Sequence, residues 1–199
     1  MNTEWVTQLV RLHPASFREA FPKRRVNNVY FDTPTLDCFK ENAAGVAQRK
    51  KHRLRWYGEQ VLFLEKPIFE IKIKDRELGY KKSQPLTSFQ WTDLKTNLAK
   101  VASLKGLHLQ PILINSYQRA YYLSQDRRFR ITIDHDLSFA PFQWDKPISK
   151  GYPSPSPAVV LELKYEAEYD ELAQDIFDHL PFRQTKNSKF MEGINLILG

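Results

Sequence analysis

The sequence predicts an α+β fold, a closed antiparallel β-barrel with flanking helices, and three observations lead there. The apolar period is helical at the start, alternating through a long middle and helical again at the end. Several alternating segments carry Arg, Lys and Glu on one parity and aliphatic or aromatic residues on the other. No fixed-period repeat and no interdomain linker interrupts the 199 residues, so one domain over 1–199 is expected.

Trp5, Leu9 and Leu12 recur at helical spacing before Pro14, and Phe17 and Phe21 repeat it before Pro22, which predicts two short amphipathic helices within 4–21. VNNVYFDTP (26–34) reads as a strand closed by turn chemistry at Asp32 to Pro34, and LDCFKEN as a short helix behind it. Strands are predicted at 47–57, 62–74, 112–124, 129–136 and 158–167, where β-branched, aromatic and aliphatic residues alternate with polar ones. Residues 88–103 keep a helical period, SKGYPSPSP (149–157) reads as a loop, and the last helices are expected at 169–179 and 187–198.

The parity of the charges points toward function. Arg49, Lys51, Arg53 and Arg55 share one face of their strand; Glu70, Lys72 and Lys74 oppose Phe69, Ile71 and Ile73. Arg130, Thr132, Asp134 and Asp136 oppose Phe129, Ile131 and Ile133, Glu162 and Lys164 oppose Leu161 and Leu163, and Arg119 stands beside Tyr117 and Tyr121. On a single strand such a pattern is the solvated face of a two-layer sheet. Repeated over several strands, it also fits the wet interior of a closed barrel, a cavity that repels itself unless an anion fills it. The net charge of +7, from 30 basic and 23 acidic residues, agrees with an anionic ligand. Arg offers a planar fork to phosphate oxygens. A groove for nucleic acid gains nothing from Glu70 and Glu162, whereas a phosphate site using Mg²⁺ or Mn²⁺ needs carboxylates for the hard cation. The alternative for Glu162 is an ordinary cross-strand ion pair with Lys or Arg.

VNNVYFDTP, HRLRWYG, FEIKIK, SYQRAYY, FRITIDHDLSF, VVLELKY and TKNSKFMEGI, in that order, resemble the VTC domain of polyphosphate polymerases, a branch of the triphosphate tunnel metalloenzyme (CYTH-like) superfamily. The resemblance spans about Val26 to Ile194 and implies an eight-stranded tunnel whose charged lumen binds triphosphate or polyphosphate with a divalent metal, Mn²⁺ or Mg²⁺. It implies transfer of the ATP γ-phosphate onto a polyphosphate chain, with a triphosphatase or a non-catalytic polyphosphate-binding module as alternatives. By motif, Arg53 and Arg55 resemble the paired lumen arginines, Lys72 the tunnel lysine, and Arg119 and Arg130 two further basic lumen residues. Glu162 resembles the metal-binding glutamate, Glu70 is a second metal candidate, and Lys186 or Lys189 falls where the family has a lysine at a tunnel mouth. Family members begin with a strand carrying lumen residues, while this chain starts inside what reads as the following helix, so either the barrel lacks that wall strand or another segment supplies it.

P-loop, Rossmann and zincin motifs are missing from the sequence. The lone Cys38 makes no internal disulfide and reads as a small core residue, and no window has the roughly 20 apolar residues of a membrane helix, so a cytoplasmic protein is expected. Polyphosphate or a nucleoside triphosphate is the expected partner, nucleic acid is not, and a membrane partner would be a separate chain.

Overall fold

A computed structural model describes residues 2–76, 78–101, 104, 106–145 and 154–198. In chain order it contains α1 (Thr3–Leu12), β1 (Arg18–Asp32), α2 (Asp37–Ala43), β2 (Gln48–Tyr57), β3 (Phe63–Leu64), β4 (Ile68–Asp75), β5 (Leu78–Pro85) and β6 (Phe89–Gln90). There follow α3 (Leu94–Leu98), β7 (Gln110–Leu123), β8 (Arg130–Pro141), β9 (Ser154–Ser156), β10 (Val160–Lys164), α4 (Asp170–Asp178) and α5 (Lys189–Leu198). The main sheet runs β10-β8-β7-β1-β2-β4-β5, with β9 beside β8, and β3 pairs β6 separately. β1 and β2, β2 and β4, β4 and β5, and β8 and β10 are antiparallel. The α+β class is as predicted, but the sheet is not closed. Closure needs both end strands paired to each other, and among the described residues β10 and β5 end the path without such pairing.

Several elements differ from the sequence reading for local reasons. α1 opens under Asn2, whose side chain accepts from the Glu4 amide at 2.8 Å, and stops at Leu12, because His13 before Pro14 is extended (φ −62°, ψ 139°). The second predicted helix is the start of β1: the spacing of Phe17 and Phe21 only mimics a helical face, since Phe17 is buried and Phe21 exposed. The strand expected over 62–74 breaks at Lys66 (φ 41°) before Pro67 into β3 and β4. β5 was not foreseen; it returns from β4 through a turn at Arg76 (φ 53°) and is mostly exposed. Of the helix expected over 88–103, residues 102 and 103 lie outside the described residues, and 88–101 contain β6, a tight turn at Trp91–Asp93 and the short α3. β8 continues through Asp136 (φ 52°) to Pro141 instead of ending there. Of the loop expected at 149–157, residues 149–153 lie outside the described residues and Ser154–Ser156 forms β9.

The described chain divides into two compact units. The first comprises Met1–Arg24, Tyr117–Leu137 and Ser156–Asn187, the second Arg25–Ser116, Ser138–Pro155 and Ser188–Gly199. In the first, Val6 and Val10 of α1 and Ala173 and Ile176 of α4 bury the apolar parity of its strands, Ile131 and Ile133 with Leu161 and Leu163. In the second, Val29, Phe31, Leu54, Trp56 and Phe69 form a core closed by Trp91, Leu94 and Leu98. The turn predicted at Asp32 also fixes α2: its buried carboxylate accepts from the amides of Thr33 (2.7 Å), Cys38 (2.8 Å) and Phe39 (2.9 Å). Cys38 is a buried core thiol, and burial, then Asp32, pushes its pKa up to about 12.

Candidate functional site

The second unit carries charges across three paired strands. Residues opposite one another in an antiparallel ladder share a face. Lys51 stands opposite Lys72 and Arg53 opposite Glu70, while Lys72 stands opposite Lys81 and Glu70 opposite Ser83. The charged parity of β2 and β4 is therefore one face, extended by β5. Glu70 is 3% exposed, and its Oε2 lies 2.7 Å from Arg53 Nε and 3.9 Å from Arg55 Nε, its Oε1 2.6 Å from Lys81 Nζ. Burial alone would raise its pKa, but Arg53, Lys81 and Arg55 hold it down to about 2. It is an internal counter-ion for three cations.

Arg55 is aimed by a chain of amides. Its Nε donates to Asn28 Oδ1 at 2.8 Å, Asn28 donates to Asn115 Oδ1 at 3.2 Å, and Asn115 donates to the Ser138 carbonyl at 3.1 Å. Lys51 donates to the Ser188 hydroxyl at 2.8 Å, immediately before α5, whose first residue is Lys189. On the same parity Tyr30, opposite Arg53, stacks on Phe190 of α5 with ring centroids 5.4 Å apart. His52, on the other parity, faces Cys38 Sγ at 3.9 Å, and its pKa is lowered by burial and by Lys50 to about 4.

The first unit holds a smaller charged group. Arg119 grips the fully buried Asp134 through two bonds, Nε to Oδ1 at 2.5 Å and Nη2 to Oδ2 at 2.7 Å, and lies over the Tyr117 ring at 5.2 Å. Burial opposes the Arg119 charge, yet Asp134, Tyr117 and Glu162 raise its pKa. Across β8 and β10, Glu162 stands opposite Thr132 and Lys164 opposite Arg130, which puts them on one face. Glu162, with 41% of its side chain exposed, lies 3.4 Å from Lys164 Nζ and 4.0 Å from Arg119 Nη2. Burial lowers the Lys164 pKa, against the pull of Glu162.

The sequence-predicted residues thus fall into two groups. Arg53, Arg55, Lys72, Glu70 and Lys189 belong to the second unit, and Arg119, Arg130, Glu162 and Lys186 to the first, where Arg130 and Lys186 are exposed. Asp134 and Lys81, the carboxylate that holds Arg119 and the lysine that completes the Glu70 site, were not singled out as site residues. Asp134 was visible as polar parity, but its pairing with a residue 15 positions away was not. Lys81 had no signal because β5 does not alternate.

As metal ligands the two glutamates differ. Glu70 is closed in by Arg53, Arg55 and Lys81, and Asp134 gives both oxygens to Arg119. Glu162 is half-exposed and suits a hard cation that takes one carboxylate and completes its shell with phosphate and water. Among the described residues no group of three His, Cys, Asp or Glu side chains is placed to hold a metal by itself.

Each unit presents a charged strand parity whose opposite, apolar parity is packed against helices. The family model described as VTC domain matches residues 3–198, and the chain belongs to the VTC domain family. Among solved structures, it is similar to the PH1819 protein of Pyrococcus horikoshii OT3, with a TM-score of 0.54 at 12% identity over 98% of this chain and 93% of that one. A proposed adenylate cyclase from Vibrio parahaemolyticus gives 0.51 at 13% identity over 96% and 91%, and another from Bacillus halodurans 0.54 at 15% over 96% and 92%. At these identities the likeness is one of fold. A comparison with curated proteins returns no match. No helix among the described residues is long and apolar enough to cross a membrane.

Proposed function

We propose that this VTC domain binds phosphate chains, either polyphosphate or a nucleoside triphosphate, and transfers the γ-phosphate of ATP onto a polyphosphate chain. The observation that carries the reading is the cation row on one face of three paired strands, Lys51, Lys72 and Lys81, beside Arg53 and Arg55, which lie against the buried carboxylate of Glu70. A face so rich in cations is completed by a polyanion. Membership of the VTC family supports the same ligand class.

In this reading Arg53, Arg55 and Lys72, with Lys189, bind phosphates in the second unit, and Arg130 and Lys186 do so in the first. Arg119, anchored by Asp134, keeps a fixed cation beside Glu162. Glu162 would hold Mn²⁺ or Mg²⁺ together with substrate phosphates, the cation supplying charge neutralisation on the phosphoryl oxygens. The arginines and lysines orient donor and acceptor and offset charge on the transferring group. The acceptor phosphate is already an anion, so no side chain need act as a general base.

A second reading is a domain that binds phosphate chains without turning them over. It is favoured by the closure of Glu70 and Asp134, both buried on the charged parity, by arginines. Incubation with ATP, Mn²⁺ and a short polyphosphate primer separates the readings. Chain lengthening with ADP release supports transfer, phosphate release without lengthening indicates a triphosphatase, and binding without turnover leaves the second reading. Glu162→Gln is expected to abolish metal-dependent turnover while retaining chain binding; unchanged turnover in that variant removes Glu162 from the metal site.

A further inference from the structure

We propose that Lys51 is a covalent modification site, its amine acylated by small acyl phosphates whose phosphate group is held by the neighbouring cations. The inference deepens the phosphate-binding reading above and rests on it. Lys51 lies between Arg49 and Arg53 on one parity of β2, with Lys72 directly opposite on β4 and Lys74 opposite Arg49. Arg53 and Lys81 share the carboxylate of Glu70. Among the described residues no carboxylate stands within ion-pair distance of Lys51, whose hydrogen-bond partner is the Ser188 hydroxyl at 2.8 Å. That hydroxyl also accepts the Met191 amide at 3.4 Å.

A cation placed this way is relieved by losing its proton. Burial first, then Lys72, Arg49, Arg53 and Lys74, pushes the Lys51 pKa down to about 8. Desolvation and adjacent cations are the two means by which a lysine amine becomes a nucleophile near neutral pH. Lys51 keeps part of its side chain at the surface, and Lys72 and Lys74 are exposed beside it, available to a dianionic phosphate. These features select an electrophile that carries its own phosphate.

The chemistry balances without a further reagent. The Lys51 nitrogen lone pair attacks the acyl carbon, the bond from that carbon to the phosphate oxygen breaks, and the phosphate leaves with the electron pair. The proton lost from the amine goes to the departing phosphate, giving an amide and hydrogen phosphate with no change in oxidation state. The amide is neutral, so acylation removes one cation from the row and weakens its hold on phosphate chains. Acyl phosphate level would thereby regulate the site.

The test is incubation of the full chain with acetyl phosphate at neutral pH, with the rate at each lysine followed by peptide mass spectrometry. Lys51 is expected to be acetylated about ten-fold or more faster than the exposed Lys40, Lys66 and Lys95. Tripolyphosphate should slow Lys51 but not Lys40, Lys66 or Lys95, and acetic N-hydroxysuccinimide ester, which carries no phosphate, should give a smaller preference. Reaction at Lys51 no faster than at the exposed lysines, or no protection by bound tripolyphosphate, overturns the proposal. Tripolyphosphate binding measured on the same sample separates the two levels. Intact binding with an unreactive Lys51 removes this inference alone, and no binding removes the phosphate-chain reading and the inference with it.

Discussion

Glu70 is where the charged face is held together. Three cations converge on one carboxylate that water scarcely reaches, and such an arrangement persists only while every partner is present. Its folded pKa, about 2, lies below the ordinary 4.5, so its stabilisation is fully present above pH 4.5 and lost as pH falls toward 2. From that shift the interaction is worth on the order of 3 kcal/mol at neutral pH. Glu70→Gln is therefore expected to lower the unfolding free energy by about that much at neutral pH and to make the decline between pH 4.5 and 2 shallower than in the wild type, where Asp37 and Asp126 also contribute. Denaturant unfolding across that range checks both, and equal stability of the two proteins at neutral pH would contradict the counter-ion role. The parity of Arg53, Arg55 and Lys72 was legible because a strand's side chains alternate with period two whatever the sheet does around it. Which cations meet which carboxylates was not, since Lys81 and Asp134 reach their partners through strand pairing that no local pattern records.

At the scale of elements, α5 lies on the charged side of the second unit, with Phe190 on Tyr30 and Gly193 against Leu113 and Phe139. A Cβ at Gly193 would come within 2.5 Å of Leu113 and 2.6 Å of Phe139, both fully buried, so the glycine is required by close approach. Gly193→Ala gains helix propensity yet overpacks this contact, and a net loss of about 1–2 kcal/mol is expected in thermal or denaturant unfolding. An unchanged or raised stability would mean that α5 can shift at no cost. Helices α4 and α5 were legible because their apolar residues repeat at helical spacing along their 9 and 10 residues. β5 was not, because LGYKKSQP is solvent-facing nearly throughout and shows no alternation. The first half of β1 was misread for the opposite reason, as two phenylalanines four residues apart fit a helix although only one of them is buried.

For the whole molecule, the class and the two-faced character of the strands followed from periodicity, whereas closure of the barrel did not. Closure is a property of edges, set by whether the first and last strands of the sheet find each other, and nothing local to β10 or β5 encodes it. The central proposal is that the charged parity is a binding face for phosphate chains. Calorimetric titration of the full chain with tripolyphosphate, at low and moderate salt and alongside Lys72→Ala, tests this most directly. Lys72 is exposed, so its loss is expected to leave the fold intact. The account predicts saturable binding that weakens with salt and falls several-fold in the variant. Equal affinity in wild type and variant, or no binding at low salt, would mean that the charged parity is only a solvated face.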